Sequence, residues 1–391
     1  MKLVGRFRAV LEKVLAERKE PLPRSFSDPK RRLELGDYLS LFLLALFNPV
    51  ARSVRGIVQA SNLEEVRAKV GVPRVSLGSF SETQHLLEPA VLESLFASLG
   101  QELTDGEPGS PQLRAERWLA RDSSLFAALP RMSWALYGGG REGCVNNAVR
   151  LHLSFDLLKD APNAVQITPG KTCERAALRA EIALKPGGAY VGDRYFSVHY
   201  GFFAQLEDKG CRYLIRLQDR GVEPILEEEL PVSAADARAG IQRQAWVRLG
   251  GPHHRSARVR LIWLRGINGQ LLHLVTNLPP TALSAADAAL LYKKRWQVEY
   301  FFRWVKCLLG SGQWHWLAES PKGVAHQLYL TLIGALLLQL DLGRRPSKRV
   351  FELLQWHQLG MVGEATLSRE LRRQLLAEER LREQKAKRSA R

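Results

Sequence analysis

The chain has 391 residues with a formal net charge of +17, and 46% of its residues are hydrophobic, which is enough to bury a large core and predicts two or three domains. The positive charge favours a polyanionic partner such as nucleic acid, although ribosomal and membrane-surface proteins share it. Four scattered cysteines without a CxxC pair give no sign of a zinc knuckle or a disulfide framework, which fits a reducing cytoplasm.

Residues 1–107 are predicted to form a helical N-terminal domain that binds DNA. The first residues alternate charged and apolar side chains at helical spacing and lack the continuous apolar centre of a signal peptide. Between 50 and 88, three short helices with tight joints are similar to a helix-turn-helix, which places a helix in the major groove. A plain helical bundle explains this pattern equally well. Glycine and proline mark a linker at 105–111.

From residue 112 the apolar pattern changes to the period of strands. Asp122 falls on the first predicted strand, and Asp193 ends the fourth. The predicted order is three strands, a helix, a strand, a helix and a strand. The strands are expected at 117–126, 148–157, 161–168, 189–193 and 212–218, and the helices at 172–184 and 199–210.

The remaining segments complete the predicted organisation. The stretch from about 219 to 289 contains three segments in which apolar and polar residues alternate, and this pattern predicts a β-rich insertion before the next helix. The region 321–391 is predicted to be helical with a basic tail, for which a solvated end is a better interpretation than a DNA contact. Polar side chains interrupt its apolar run at 323–343, so a buried helix is favoured over a membrane span.

One helical stretch carries an unusual set of side chains: Tyr292, Arg295, Glu299 and Lys306. At about 100° per residue their offsets return close to the same direction, so they share a stripe roughly 60° wide. A carboxylate among three groups that bind phosphate suits a phosphate-handling site. An ordinary solvated face with an ion pair between Arg295 and Glu299 is the alternative.

These four residues resemble the tyrosine-arginine-glutamate-lysine signature of bacterial insertion-sequence transposases of the insertion-sequence-four type, in the DDE superfamily. The sequences around Asp122 and Asp193 resemble the first and second aspartate motifs of that family. The resemblance implies an α/β fold with a ribonuclease H-like (retroviral integrase-like) catalytic core at 112–320 that carries the β-rich insertion. Helical N-terminal and C-terminal regions flank this core. The predicted strand order agrees, because the first and fourth strands of that fold are neighbours.

The resemblance also implies roles for residues. Asp122, Asp193 and Glu299 would be catalytic and would hold two Mg²⁺ (or Mn²⁺) ions, because hard cations prefer carboxylate oxygens. Asp122 is expected to bridge the two ions, because it lies at the centre of the sheet in that fold. The groups expected to bind DNA phosphates are Tyr292, Arg295 and Lys306, with Arg194 and Lys294 as secondary contacts. The candidates for stacking on an extruded base are Trp246, Trp263, Trp296 and Trp314, and the adjacent His253 and His254 are expected in a loop.

The expected function is that of a DNA transposase, which binds the inverted-repeat ends of its element and catalyses metal-dependent cleavage and strand transfer in cut-and-paste transposition. Its expected partners are double-stranded DNA, as transposon ends and as target, and a second copy in a homodimeric DNA complex. No membrane partner is expected, and the expected location is the bacterial cytoplasm at the nucleoid. Two alternatives remain: a DNA-binding protein of transposase ancestry without catalysis, and a metal-dependent nuclease on the same core.

Overall fold

A computed structural model describes residues 2–17, 26, 32–104, 110–137, 146–172, 185–198, 200–218, 224–250, 257–266, 268–308 and 316–389. The chain divides into two compact units. One unit joins Met1–Glu102 to Arg303–Arg391, and the other consists of Leu103–Phe302. The three-part division at 1–107, 112–320 and 321–391 stays a prediction.

The fold is mixed α/β. The helices are α1 (Lys2–Glu17), α2 (Leu35–Phe47), α3 (Val54–Ala60), α4 (Glu64–Val70), α5 (Leu77–Leu86), α6 (Pro89–Glu102), α7 (Pro111–Arg114), α8 (Gly201–Asp208), α9 (Ala234–Arg238), α10 (Ala285–Lys294), α11 (Trp296–Leu308), α12 (Pro321–Leu342), α13 (Lys348–Gln358) and α14 (Glu364–Ser389). The strands are β1 (Trp118–Ala127), β2 (Leu136–Tyr137), β3 (Asn146–Asp156), β4 (Ala161–Pro169), β5 (Ala189–Gly192), β6 (Arg212–Arg216), β7 (Ile225–Leu230), β8 (Ile241–Leu249), β9 (Ala257–Arg265) and β10 (Leu271–Thr276).

In the helical unit, α12 is the central helix and packs against α1, α2, α5 and α6. The Ser320 side chain caps its first turn, Pro321 opens it, and it ends at Gly343 in the left-handed conformation. Among the described helices it alone is long and apolar enough to cross a membrane by length and composition, but 94% of its apolar window is buried inside the protein. The predicted buried helix at 323–343 is therefore confirmed.

Three short helices lie where the sequence predicts them in the N-terminal region. Ser53 caps α3 and Ser76 caps α5 through their side-chain oxygens. The buried Ser61 accepts a hydrogen bond at 3.1 Å from the amide of Val75, which ties the end of α3 to the start of α5. The tight joints are thus observed, and DNA binding by these helices stays a prediction.

The other unit is built on a single sheet whose described strands run in the order β2-β3-β1-β5-β6-β10-β9-β8-β7, with β4 paired to β3. Strand β1 is antiparallel to β3 and parallel to β5, and β5 is parallel to β6. The predicted strands of the core are therefore confirmed, and the predicted helix at 199–210 is α8. The predicted helix at 172–184 lies almost wholly outside the described residues.

The β-rich segment does not form a sheet of its own. Its last strand, β10, pairs with β6 in antiparallel fashion, and β9, β8 and β7 follow outward. Both faces of β7 are exposed, whereas β8 and β9 contribute buried side chains to the core that contains Tyr213 and Phe203. The predicted insertion is thus a continuation of the core sheet.

Candidate active site

The two aspartates lie at one level of the sheet. Ala120 of β1 pairs with Val191 of β5, and two residues further along each chain place Asp122 opposite Asp193. Neighbouring strands are about 4.8 Å apart, so the two carboxylates leave the sheet side by side. Each accepts a local backbone hydrogen bond, Asp122 from Ser123 at 2.8 Å and Asp193 from Tyr195 at 2.9 Å.

Helix α11 covers the same face of the sheet. Asp122 shares a face of β1 with Ala120, because side chains alternate along a strand. Ala120 pairs with Phe155 of β3, and the Phe155 ring lies 5.5 Å from that of Phe301 on α11. Glu299, in the first turn of α11, bonds to Arg295, whose guanidinium also interacts electrostatically with Asp122, so α11 brings Glu299 near Asp122.

The helix that carries the signature is interrupted, which corrects the prediction of one continuous helix. Helix α10 ends at Lys294 and α11 begins at Trp296, with Arg295 in the turn between them. The amide of Val298 donates to the carbonyl of Arg295 at 3.2 Å, a tighter turn than that of an α-helix. The exposed Lys306 lies further along α11, in the stretch assigned to the helical unit.

Arg295 is buried at the centre of this group, with 6% of its surface exposed. Its Nη2 donates to Glu299 Oε1 at 2.9 Å, and its guanidinium carbon lies 5.7 Å from the centre of the Tyr292 ring. Burial lowers the pKa of Arg295, but Tyr292, Glu299 and Asp122 together outweigh burial and raise that pKa. Arg295 is therefore a fixed positive charge beside two of the three acids. The ion pair of the alternative interpretation is present, but its arginine is buried and not on a solvated face.

Tyr292 connects Asp193, the third acid, to Arg295. Burial raises the pKa of its hydroxyl, Arg295 and Arg216 oppose this, and Asp193 raises it further. Arg216 also hydrogen bonds to this hydroxyl. Tyr292 thus lies between Asp193 and two arginines, and its hydroxyl stays protonated at neutral pH.

Arg216 is a residue of this site that the sequence did not reveal. Gly192 of β5 pairs with Ile215 of β6, so the next residues, Asp193 and Arg216, are also opposite each other. Asp122, Asp193 and Arg216 therefore form a row across three parallel strands. The signal in the sequence was an arginine at the end of the fifth predicted strand, but only the strand order makes it informative.

A pocket of about 290 Å³ opens beside this row. Its lining is rich in cations and contains one acid, one amide and one exposed indole. The lining residues are Asp193, Arg194, Arg216, Gln270, Leu272, Tyr292, Arg295 and Trp296. Asp122 and Glu299 are not part of this lining, so a ligand in the pocket touches Arg295 from outside the ion pair.

The remaining predicted contacts are placed as follows. Lys294 is buried, with 7% exposed, whereas Arg194 is exposed at the pocket. The Trp296 side chain is 47% exposed and lines the pocket. Arg258 lies over Trp246 at 4.6 Å and Arg243 over Trp263 at 4.7 Å, so arginines cover these two rings. Three further predicted positions lie outside the described residues: Trp314, His253 and His254.

The three acids are of a kind that binds hard divalent cations. Asp122, Asp193 and Glu299 supply carboxylate oxygens, and the first two are adjacent. Among the described residues, no three acidic, histidine or cysteine side chains are grouped closely enough to hold a metal ion. Glu299 is instead engaged with Arg295. The acids therefore fit a cation chemically, with Glu299 bound elsewhere in this arrangement.

Comparison with known proteins gives consistent matches. A protein of Sinorhizobium fredii named as transposase y4zB is 26% identical over 210 residues, which are 53% of this chain and 56% of that protein, so the match spans about half of the relative's length. The protein of Geobacillus stearothermophilus named as a transposase for insertion sequence element IS5377 is 24% identical over 316 residues, 80% of this chain and 78% of that protein.

A cryo-EM structure of the piggyBac transposase synaptic complex with hairpin DNA aligns with a TM-score of 0.44 and 12% identity, over 96% of this chain and 82% of that chain. A family model described as a transposase DDE domain matches residues 116–338, more than half of the chain. The matched residues include Asp122, Asp193 and Glu299 together with the whole sheet. The chain therefore belongs to the transposase DDE domain family.

Proposed function

We propose that this chain is a DNA transposase of the insertion-sequence-four type, which cleaves the ends of its element and joins them to target DNA. The observation that carries the proposal is the row of Asp122, Asp193 and Arg216 across β1, β5 and β6, with Glu299 joined to it through Arg295. This row places adjacent acids next to a cationic pocket. Phosphodiester chemistry needs both.

The catalytic core is proposed to be ribonuclease H-like. The strand order β4-β3-β1-β5-β6, antiparallel on one side of β1 and parallel on the other, supports this assignment. In that arrangement the first acid lies on the central strand and the second directly after its parallel neighbour. Helix α11 then delivers the third acid.

Asp122, Asp193 and Glu299 would hold Mg²⁺ or Mn²⁺, and two such ions, when bound, activate the attacking oxygen and stabilise the leaving oxygen. The protein's own groups position the DNA. Arg295 and Arg216 provide planar donors for phosphate oxygens, and the protonated Tyr292 hydroxyl is a further donor. The exposed Arg194 and Lys306 are proposed as additional phosphate contacts, whereas Lys294, at 7% exposed, would have to become accessible to act as one. The exposed Trp296 ring offers a surface for a base.

The proposed partners are the inverted-repeat ends of the element and a target duplex, with two copies of the chain pairing the ends as a homodimer in the DNA complex. The name of the IS5377 relative supports an insertion-sequence origin. The net charge of +17 supports binding to a polyanion. The bacterial cytoplasm at the nucleoid is the proposed location.

The test uses the full chain with linear DNA that carries both ends of the genomic segment encoding it, in Mg²⁺ or Mn²⁺. Cleavage at the ends and joined products on a sequencing gel are expected. Asp122→Asn, Asp193→Asn and Glu299→Gln should each lose both products while still binding the end DNA. An absence of cleavage by the wild type in either metal would contradict the proposal.

A DNA-binding protein without catalysis is the second candidate, and the ion pair that engages Glu299 favours it. It predicts end binding without cleavage in the same assay. A metal-dependent nuclease would cleave but yield no joined product, and the flanking genomic DNA would lack terminal inverted repeats.

A further inference from the structure

Arg295 and Glu299 form an ion pair whose two members have different surroundings. The Arg295 side chain is 8% exposed and the Glu299 side chain 28% exposed. The buried guanidinium also interacts electrostatically with Asp122. One arginine thus compensates two of the acids that the proposed function assigns to cation binding, in a setting where an uncompensated charge is costly.

The guanidinium has unused bonding capacity. Its Nε is buried and has no hydrogen-bond partner within the described part of the protein. Arginine presents its donors as a planar fork that matches phosphate as well as carboxylate. A phosphate in the pocket, which Arg295 lines and Glu299 does not, would bind such a fork through Nε and Nη2 together, and it would therefore compete with Glu299 for Nη2.

We infer that Arg295 acts as a gate on the acidic site. In the DNA-free protein its guanidinium holds Glu299. When a DNA phosphate binds that guanidinium in place of Glu299, the Glu299 carboxylate is released and becomes a ligand for a divalent cation. DNA and cation then bind cooperatively, and the coupling is reciprocal. The inference rests on the proposed function, since it uses the same acids. It adds that the third cation ligand is withheld until DNA is present.

The experiment measures Mn²⁺ affinity of the full chain by electron paramagnetic resonance, with and without a saturating 30-base-pair duplex, at fixed ionic strength. For the wild type we expect DNA to strengthen Mn²⁺ binding by about tenfold, within the usual range of coupling between sites. For Arg295→Gln we expect tight Mn²⁺ binding without DNA and little further change when DNA is added. Arg295→Lys, which keeps the charge, should retain part of the coupling.

Arg194→Gln is the matched control, because Arg194 lines the same pocket but is exposed and makes no ion pair with Glu299 among the described contacts. It should bind DNA more weakly and keep the wild-type coupling. Circular dichroism and thermal melting of each variant establish that it is folded.

Equal Mn²⁺ affinity of the wild type with and without DNA would overturn the gate, and so would unchanged coupling in Arg295→Gln. These outcomes differ from a failure of the proposed function. If Asp122→Asn and Glu299→Gln bind Mn²⁺ as the wild type does, the acids hold no cation and both proposals fail. If these two variants lose Mn²⁺ and Arg295→Gln keeps its coupling, only the gate fails.

Discussion

Asp122 on β1 is brought level with Asp193, the residue directly after the parallel strand β5, by the register of the pair Ala120 and Val191. Two carboxylates at this spacing repel each other unless a positive charge lies nearby, and Arg295 supplies one. Both acids are proposed as cation ligands, so their removal should affect chemistry more than folding.

Asp122→Asn and Asp193→Asn should each lower the rate of DNA cleavage by at least about a thousandfold, because transition-state charge is no longer stabilised. Neither should lower the melting temperature, since both changes keep the side-chain shape and relieve repulsion. Single-turnover cleavage and calorimetry measure the two effects. Glu228→Gln, an exposed acid on β7, is the control and should cleave normally.

Tyr292→Phe should weaken binding of end DNA by about tenfold, because one hydrogen bond to a charged group is worth about 1.5 kcal/mol or more. The ring keeps its packing, so stability should change little. Fluorescence anisotropy at two DNA lengths checks this. Wild-type affinity in Tyr292→Phe would mean that the hydroxyl serves only Arg216.

Lys306→Ala and Arg194→Ala should each weaken DNA binding and reduce the slope of log affinity against log salt by about one phosphate contact. Both side chains are exposed, so their loss should leave the folded structure unchanged. Titrations at several salt concentrations give the slope. If the plot of log affinity against log salt moved without a change of slope, these two side chains would make no contact with DNA phosphates.

Stability should fall in mild acid because of His326. Its Nε2 donates to the carbonyl of Leu87 at 3.0 Å and its Nδ1 accepts from the Tyr38 hydroxyl at 3.4 Å. Burial is the main cause that lowers its pKa from 6.5 to about 4. The folded state therefore resists a proton that the unfolded state accepts, so this contribution is complete above pH 6.5 and is lost as the pH falls towards 4.

By pH 5 the loss from this one group is about 2 kcal/mol of the free energy of unfolding. Urea denaturation at pH 7, 6 and 5 measures it. His326→Gln should be less stable at pH 7 and should show a smaller decline. His152 in the other unit, whose pKa burial likewise lowers to about 4, should contribute a separate decline that His152→Gln removes.

Gly334→Val should destabilise the helical unit by about 1–3 kcal/mol, the usual effect of overpacking. A Cβ at Gly334 would lie 2.9 Å from Cδ2 of Leu46 and 3.3 Å from Cζ of Phe47, so side chains of α2 would have to shift to admit valine. Gly100→Ala is the control: a Cβ there meets nothing within 4 Å, and alanine should stabilise α6 by up to about 1 kcal/mol. Thermal melts of both variants show whether each change raises or lowers the melting temperature.

The sequence predicted the strands and the two aspartates because alternation and a terminal acid are local signals. The break at Arg295 was not predictable in this way, since the apolar pattern continues through it and no proline or glycine marks it. Arg216 was missed for a different reason. Its importance depends on the register between β5 and β6, which is a relationship between distant segments.

The pairing of β6 with β10 also bears on how this protein can change in length. If residues 219–289 were deleted, β6 would become an open edge that presents the buried Tyr213, Leu214 and Ile215, and such an edge invites pairing with another chain. The exposed strand β7 lies at the end of the sheet and covers no further described strand on its outer side. Relatives should therefore gain or lose residues around β7, and homologous truncations that reach β10 should aggregate.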